Sequence, residues 1–213
     1  MNTAAKPKLA LGYMAADLPA EITSVTGRAT IPVSMDFYTG KATYLKDRAE
    51  IEEDPSFQHF IPYIVLINER NEVFIYSRGK DGGEKKLVGN LSIGLGGHVD
   101  EQPAEGQSLL ELLQLEGARE LKEEAGLELP YAMQFRKLLI DRTNKVGLVH
   151  LGLLAICPVD SRTVLQLDEV GIVEKGEWLT LAQLHTDDIY PRLENWSQMA
   201  LTVVQQFITE PRE

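Results

Sequence analysis

Apolar and polar positions along the chain alternate with two distinct periods, and each period predicts its own elements. Residues 60–67, FIPYIVLI, form a short apolar run rich in branched and aromatic side chains, the pattern of a buried strand. The polar stretch Asn68 to Asn71 separates it from EVFIYSR, which alternates, so the two runs predict a β-hairpin. MQFRKLLIDR and VGLVHLGLLAICPV predict two more strands joined by a turn at Thr143–Lys145, and VGIVEKGEWLTL predicts another that leads into AQL and a loop. Between these strands the period changes. Ala118, Leu121 and Ala125 recur at helical spacing and give that helix a face to bury, and Gly126 supplies its stop. Near the end of the chain, Leu193, Trp196, Met199, Ala200, Val203 and Phe207 have the spacing of a core-facing amphipathic helix.

The first 57 residues are less patterned. AEITSV and RATIPVSM read as short strands, and TGKATYLKDRAEIEEDPS as a turn followed by a polar helix or loop. That segment is too short for a core of its own, so it is expected to pack on a main domain spanning residues 58–213. The order of elements suits an α+β layered domain with a mixed sheet.

Composition narrows the function classes. A formal net charge of −11 over 213 residues argues against binding duplex nucleic acid, which needs a basic surface, but leaves room for a small anion that arrives with a metal. The single cysteine, Cys157, sits in an apolar run and reads as a buried, reduced thiol. No apolar run reaches the length of a membrane span, and LALGYMAA makes a poor signal peptide, so the expected location is the cytoplasm.

The candidate chemistry concentrates in E-LLQLEGA-RELKEEAGL, Glu111 to Leu127. Glu120, Glu123 and Glu124 lie at i, i+3 and i+4, which puts three carboxylates on one helical face, with Glu116 one turn earlier on the same side. Like charges so spaced repel by a few tenths of a kcal/mol per pair, roughly, on an isolated helix. A solvated face tolerates that, and a hard cation such as Mg²⁺ exploits it. Upstream, Gly94, Gly96 and Gly97 read as a loop that brings backbone close to a ligand, since glycine weakens a strand interior. Arg78, Lys80, Lys85 and Lys86 form a positive patch in an acidic chain, suited either to phosphate or to a soluble hairpin tip. His98 is expected to face solvent or pack, and His150 to be a packed or hydrogen-bonded strand residue.

Glu-x7-Arg-Glu-Leu-x-Glu-Glu-x-Gly-Leu resembles the helical part of the Nudix box, G-x5-E-x7-R-E-U-x-E-E-x-G-U with U aliphatic, the signature of hydrolases of nucleoside diphosphates linked to another group. Everything from Glu111 to Leu127 matches, and Gly96-Gly97-His98-Val99-Asp100 resembles the loop before it. One departure stands out. Thirteen residues separate Gly97 from Glu111, where the family pattern has five, which reads as an insertion around DEQPAEGQ. The resemblance implies an α/β/α Nudix sandwich from about Phe60 to Phe207, a Mg²⁺ or Mn²⁺ cofactor, a small diphosphate substrate and a homodimer. It further implies Glu120, Glu123 and Glu124 as metal ligands with a backbone carbonyl near Gly97. Glu120, Glu123, Glu169 or Glu174 would be the base that activates water, and the positive patch, read from the sequence itself, offers Arg78, Lys85 and Lys86 as candidates to touch substrate. Arg119 would pair with Glu123 and with Glu111 to hold the cluster in shape. A non-catalytic module that senses a nucleotide or sugar phosphate is the alternative that the same fold allows.

Overall fold

The computed structural model describes residues 8–39, 41–78, 90–128, 133–167 and 173–210. Along the chain run β1 (Leu9–Met14), α1 (Ala20–Thr23), β2 (Arg28–Pro32), α2 (Met35–Thr39), β3 (Tyr44–Asp47), α3 (Arg48–Ile51), β4 (Phe57–Asn68) and β5 (Glu72–Arg78). Then follow β6 (Leu91–Ser92), β7 (Gly94–Leu95), α4 (Leu109–Ala125), β8 (Gln134–Asp141), β9 (His150–Val159), β10 (Val173–Thr180), α5 (Leu181–Leu184) and α6 (Asn195–Thr209).

The strand at the centre of the sheet is β4. All of its residues are buried, because both of its edges are paired and both of its faces are covered. It pairs with β9 in parallel from His59↔His150 to Asn68↔Val159, and with β1, β5 and β7 antiparallel, so the sheet is mixed. The order through the sheet is β10-β5-β4-β9-β8-β2, with β1, β3, β6 and β7 attached beside it. Alternation along β4 sends side chains to opposite layers. Tyr63, Val65 and Ile67 join Ala200, Leu201, Val203 and Val204 of α6 on one face. Ile64 and Leu66 join Leu121 and Ala125 of α4 on the other. That two-sided burial is why the β4 sequence is a continuous apolar run instead of an alternating one. Each fully buried Leu or Ile contributes about 1.5–3 kcal/mol relative to exposure.

A further cluster ties the first 57 residues to this frame. Leu11, Tyr13, Phe37 and Tyr38 pack with Phe60 of β4, with Val99, and with Leu109, Leu112 and Leu113 from the front of α4. The Tyr13 and Phe60 rings meet edge-to-face at 4.8 Å, and the Tyr13 hydroxyl donates to the Phe37 carbonyl. β1 pairs with β4 and β2 with β8, so the segment adds strands to the same sheet.

Two local expectations need correction. AEITSV is not a strand: Ala20–Thr23 is a helical turn entered from Pro19, whose carbonyl accepts the Ile22 N–H, and Ile22 is its buried residue. Within TGKATYLKDRAEIEEDPS, Tyr44–Asp47 is strand β3 on β1, with Leu45 packed on the cluster of Leu11 and Tyr13 while Lys46 lies over the Phe57 ring. Asp47 then caps α3 by accepting the Ala49 N–H. No helix among the described residues is long and apolar enough to cross a membrane.

Candidate active site

Helix α4 is fixed at both ends before any chemistry is considered. Ser108 and Glu111 form a reciprocal capping box, with the Ser108 Oγ accepting the Glu111 N–H and the Glu111 carboxylate accepting the Ser108 N–H. At the other end Gly126 adopts φ 64°, and Leu127 N–H returns to the Leu121 carbonyl, closing a Schellman-type cap. The stretch from His98 to Ser108 is loop, and the helix begins at Leu109, two residues ahead of Glu111.

Burial of Leu121 and Ala125 against β4 sets the rotation of α4, and with it the position of the glutamates. Arg119 lies among them. It donates to Glu116, Glu120 and Glu123, each at 2.8 Å, and reaches the His98 carbonyl at 3.2 Å. Burial works to lower the Arg119 pKa, but the hydrogen bond with Glu116 and the charges of Glu120, Glu116 and Glu123 outweigh it and hold the guanidinium charged. The Arg119–Glu123 pair matches the expected i, i+4 contact. The other expected partner, Glu111, is committed to the helix cap, and Glu116 at i−3 pairs with Arg119. Glu123 is the most open of the carboxylates, with its side chain 49% exposed against 12% for Glu120, while Glu124 is buried.

The glycine loop lies against this face. Gly96 N–H donates to a Glu124 carboxylate oxygen at 2.8 Å. A β-carbon on Gly97 would sit 2.7 Å from Glu120 Oε1, so the missing side chain is what admits that carboxylate. Gly94 and Gly96, however, answer to the sheet before they answer to a ligand, which corrects the functional reading of both. A β-carbon on Gly94 would fall 2.1 Å from the Tyr63 ring, and one on Gly96 1.9 Å from the Pro62 carbonyl, where φ is also +145°. The face formed by Glu120, Glu123 and Glu124 with the Gly97 backbone offers oxygen donors and can hold a hard divalent cation.

Other candidates fall elsewhere. Lys80, Lys85, Lys86 and Glu169 lie outside the described residues, as do the side chains of Arg78 and Glu174. Cys157 is buried and its thiol pKa is pushed up to about 12 by burial, which suits a packing role. Tyr63 and Tyr76 are core residues, with the Tyr63 hydroxyl donating to Glu194 and that of Tyr76 to the Gly94 carbonyl. Tyr190 stacks on His185 at the surface.

Sequence reasoning missed one gathering of residues. His98 packs, as expected, but between His59 and His150: its Nε2 lies 3.3 Å from His59 Nδ1 and 3.1 Å from His150 Nε2. Burial lowers all three pKa values. His59 falls to about 4, with the charge of His150 second in effect, and His98 to about 2, with that of Arg48 second, while burial lowers His150 in the same direction. The cross-strand register His59↔His150 is the feature that brings the first two together, and periodicity within either segment does not reveal it.

No family model matches the chain. It is 38% identical over 161 residues to protein YmaB of Bacillus subtilis, covering 74% of this chain and 76% of that one. Among solved structures it resembles Tm1382, described as a candidate Nudix hydrolase, with a TM-score of 0.69 at 20% identity over 93% of this chain and 99% of that one. It also resembles the Nudix domain of Shewanella oneidensis NrtR, solved in complex with ADP ribose, with a TM-score of 0.51 at 15% identity over 71% of this chain and 89% of that one. At this identity and coverage the chain belongs to the family of Bacillus subtilis YmaB, and its mixed sheet with flanking helices is the Nudix fold.

Proposed function

We propose that this protein is a Mg²⁺- or Mn²⁺-dependent hydrolase that cleaves the diphosphate linkage of a nucleoside diphosphate joined to a further group, by attack of activated water. The observation that carries this reading is the convergence on one place of Glu120, Glu123, Glu124 and the Gly96–Gly97 loop, with Arg119 pinned among the carboxylates. The chemistry that a divalent ion would supply there is neutralisation of phosphate oxygens and a more acidic attacking water. Glu120, Glu123 and Glu124 would hold that ion together with the Gly97 carbonyl. Glu123 is the most solvent-accessible of the three, which suits it to accept the proton of the attacking water, a role it shares as candidate with Glu120, Glu169 and Glu174. Arg119 keeps Glu120 and Glu123 oriented when no substrate is present and spaces their charges. Arg78, Lys85 and Lys86 are proposed to meet the phosphates.

ADP-ribose, the ligand in the Shewanella NrtR domain structure, is a substrate of the proposed class and the first compound to try. The test is release of nucleotide from ADP-ribose, dinucleoside polyphosphates, nucleotide sugars, NADH, CoA and nucleoside triphosphates, with Mg²⁺ or Mn²⁺ against chelator. Cleavage of one class that chelator abolishes supports the reading. Tight binding of one compound without turnover replaces it with that of a sensing module.

A further inference from the structure

We propose that His59, His98 and His150 form a second metal site, separate from the glutamate face, for a first-row transition cation with zinc's preference for imidazole and tetrahedral geometry. Three elements supply the ligands. His59 comes from β4, His150 from the start of β9 beside it, and His98 from the loop that follows β7. One nitrogen from each ring lies within 4.8 Å of the other two, and His59 Nδ1 and His150 Nε2 both face His98 Nε2. These two separations, 3.3 and 3.1 Å, match the spacing of about 3.3 Å between two nitrogens that each sit 2.0–2.1 Å from a tetrahedral zinc.

The outer nitrogens strengthen the argument. His59 Nε2 faces the Ile51 carbonyl at 3.2 Å, and His150 Nδ1 faces the Val146 carbonyl at 2.8 Å. A carbonyl oxygen only accepts, so each of those nitrogens carries the ring proton, and the tautomer is settled. The inward nitrogens, His59 Nδ1 and His150 Nε2, are then bare lone pairs. A metal-bound histidine has this arrangement, with its second nitrogen donating to a carbonyl and its first pointing at the ion. In the protein without metal, a proton on His98 Nε2 is shared between two facing lone pairs, whereas a cation satisfies all three nitrogens together. Nearby charge is mixed. Glu52 acts on His59 and His150 in favour of a cation, and Arg48 and Lys8 act on the cluster against one. Water completes the coordination. Nitrogen donors favour a borderline metal such as Zn²⁺, while the oxygen donors of α4 suit Mg²⁺, so in excess Mg²⁺ the two sites prefer different ions.

His98 also joins the sites mechanically, because its carbonyl accepts from Arg119 while its ring enters the cluster. A bound ion would fasten the glycine loop to β4 and β9 and so steady the loop against the glutamate face.

The experiment is equilibrium dialysis of the chelator-stripped full chain against Zn²⁺ in excess Mg²⁺, with Co²⁺ in a parallel sample read by its visible absorption. The expected result is one zinc per chain, a four-coordinate Co²⁺ spectrum, and a rise of Tm with zinc. All three should be lost in His98→Asn and His150→Asn and kept in Glu123→Gln. His98 lies on a loop, so its variant tests the site even if His150→Asn fails to fold by circular dichroism. Three results would overturn the proposal: no zinc uptake by the wild-type chain, uptake undiminished in folded His98→Asn, or uptake lost in Glu123→Gln.

Discussion

Gly96 and Gly97 are adjacent yet differ in what a methyl group would meet. At Gly96 a side chain collides with the Pro62 backbone at a φ of +145°, and neither the strand nor the torsion yields cheaply. Gly96→Ala is therefore expected to cost on the order of 3 kcal/mol, read from urea unfolding. At Gly97 the obstacle is the end of the Glu120 side chain, which can move. Gly97→Ala should leave the unfolding midpoint near wild type while weakening Mg²⁺ binding or turnover roughly tenfold or more, since it displaces a proposed ligand. If the two variants changed stability equally, this division of roles would be wrong. At this scale the sequence exposes what lies on one helix and conceals what lies across the sheet. The spacing of Glu120, Glu123 and Glu124 is local and legible. His59, His98 and His150 are 39 and 52 positions apart, and only the parallel register of β4 on β9 and the return of the glycine loop bring them together.

Among the elements, α4 and the β8–β9 connection are fixed by specific polar groups. Ser108→Ala removes the cap that starts α4 and is expected to cost about 1 kcal/mol. Asp141 ends β8 almost fully buried, accepting from the Thr143 N–H and hydroxyl, from Asn144 and from Asn195. Burial opposes its charge, yet the bonds from Thr143 and Asn195, with Arg28 adding to them, hold its carboxyl below the usual carboxylate range. A depressed carboxylate pKa stabilises the fold above its unfolded value, ~3.9, and that contribution is lost as pH falls through the folded value. Stability measured by urea should thus drop on acidification below about pH 4, with a smaller drop in Asp141→Asn, which should also be less stable at pH 7. An identical acid response in the variant would remove Asp141 from the account. The β4–β5 hairpin, the β8–β9 pair and α6 were readable because their patterns repeat within one segment. α1 was misread because one buried residue, Ile22, serves a helical turn as well as a strand.

For the whole molecule, the arrangement is a mixed sheet with α6 against one face of β4 and α4 against the other, and the first strands of the chain completing the same sheet. That incorporation was not legible, since β1 on β4 and β2 on β8 are long-range pairings between segments with weak patterns of their own. The layered class was legible from element order, and the Nudix fold from the box. The glycine loop lies against the glutamates of α4, and the proposed chemistry depends on that pairing. One measurement tests it most directly: nucleotide release from ADP-ribose and related diphosphates by wild-type and Glu123→Gln protein, with Mg²⁺ or with chelator. The account predicts Mg²⁺-dependent cleavage of one compound class by the wild type, and a loss of about a hundredfold or more in a variant that still folds. Undiminished cleavage by Glu123→Gln, or cleavage indifferent to chelator, would contradict it.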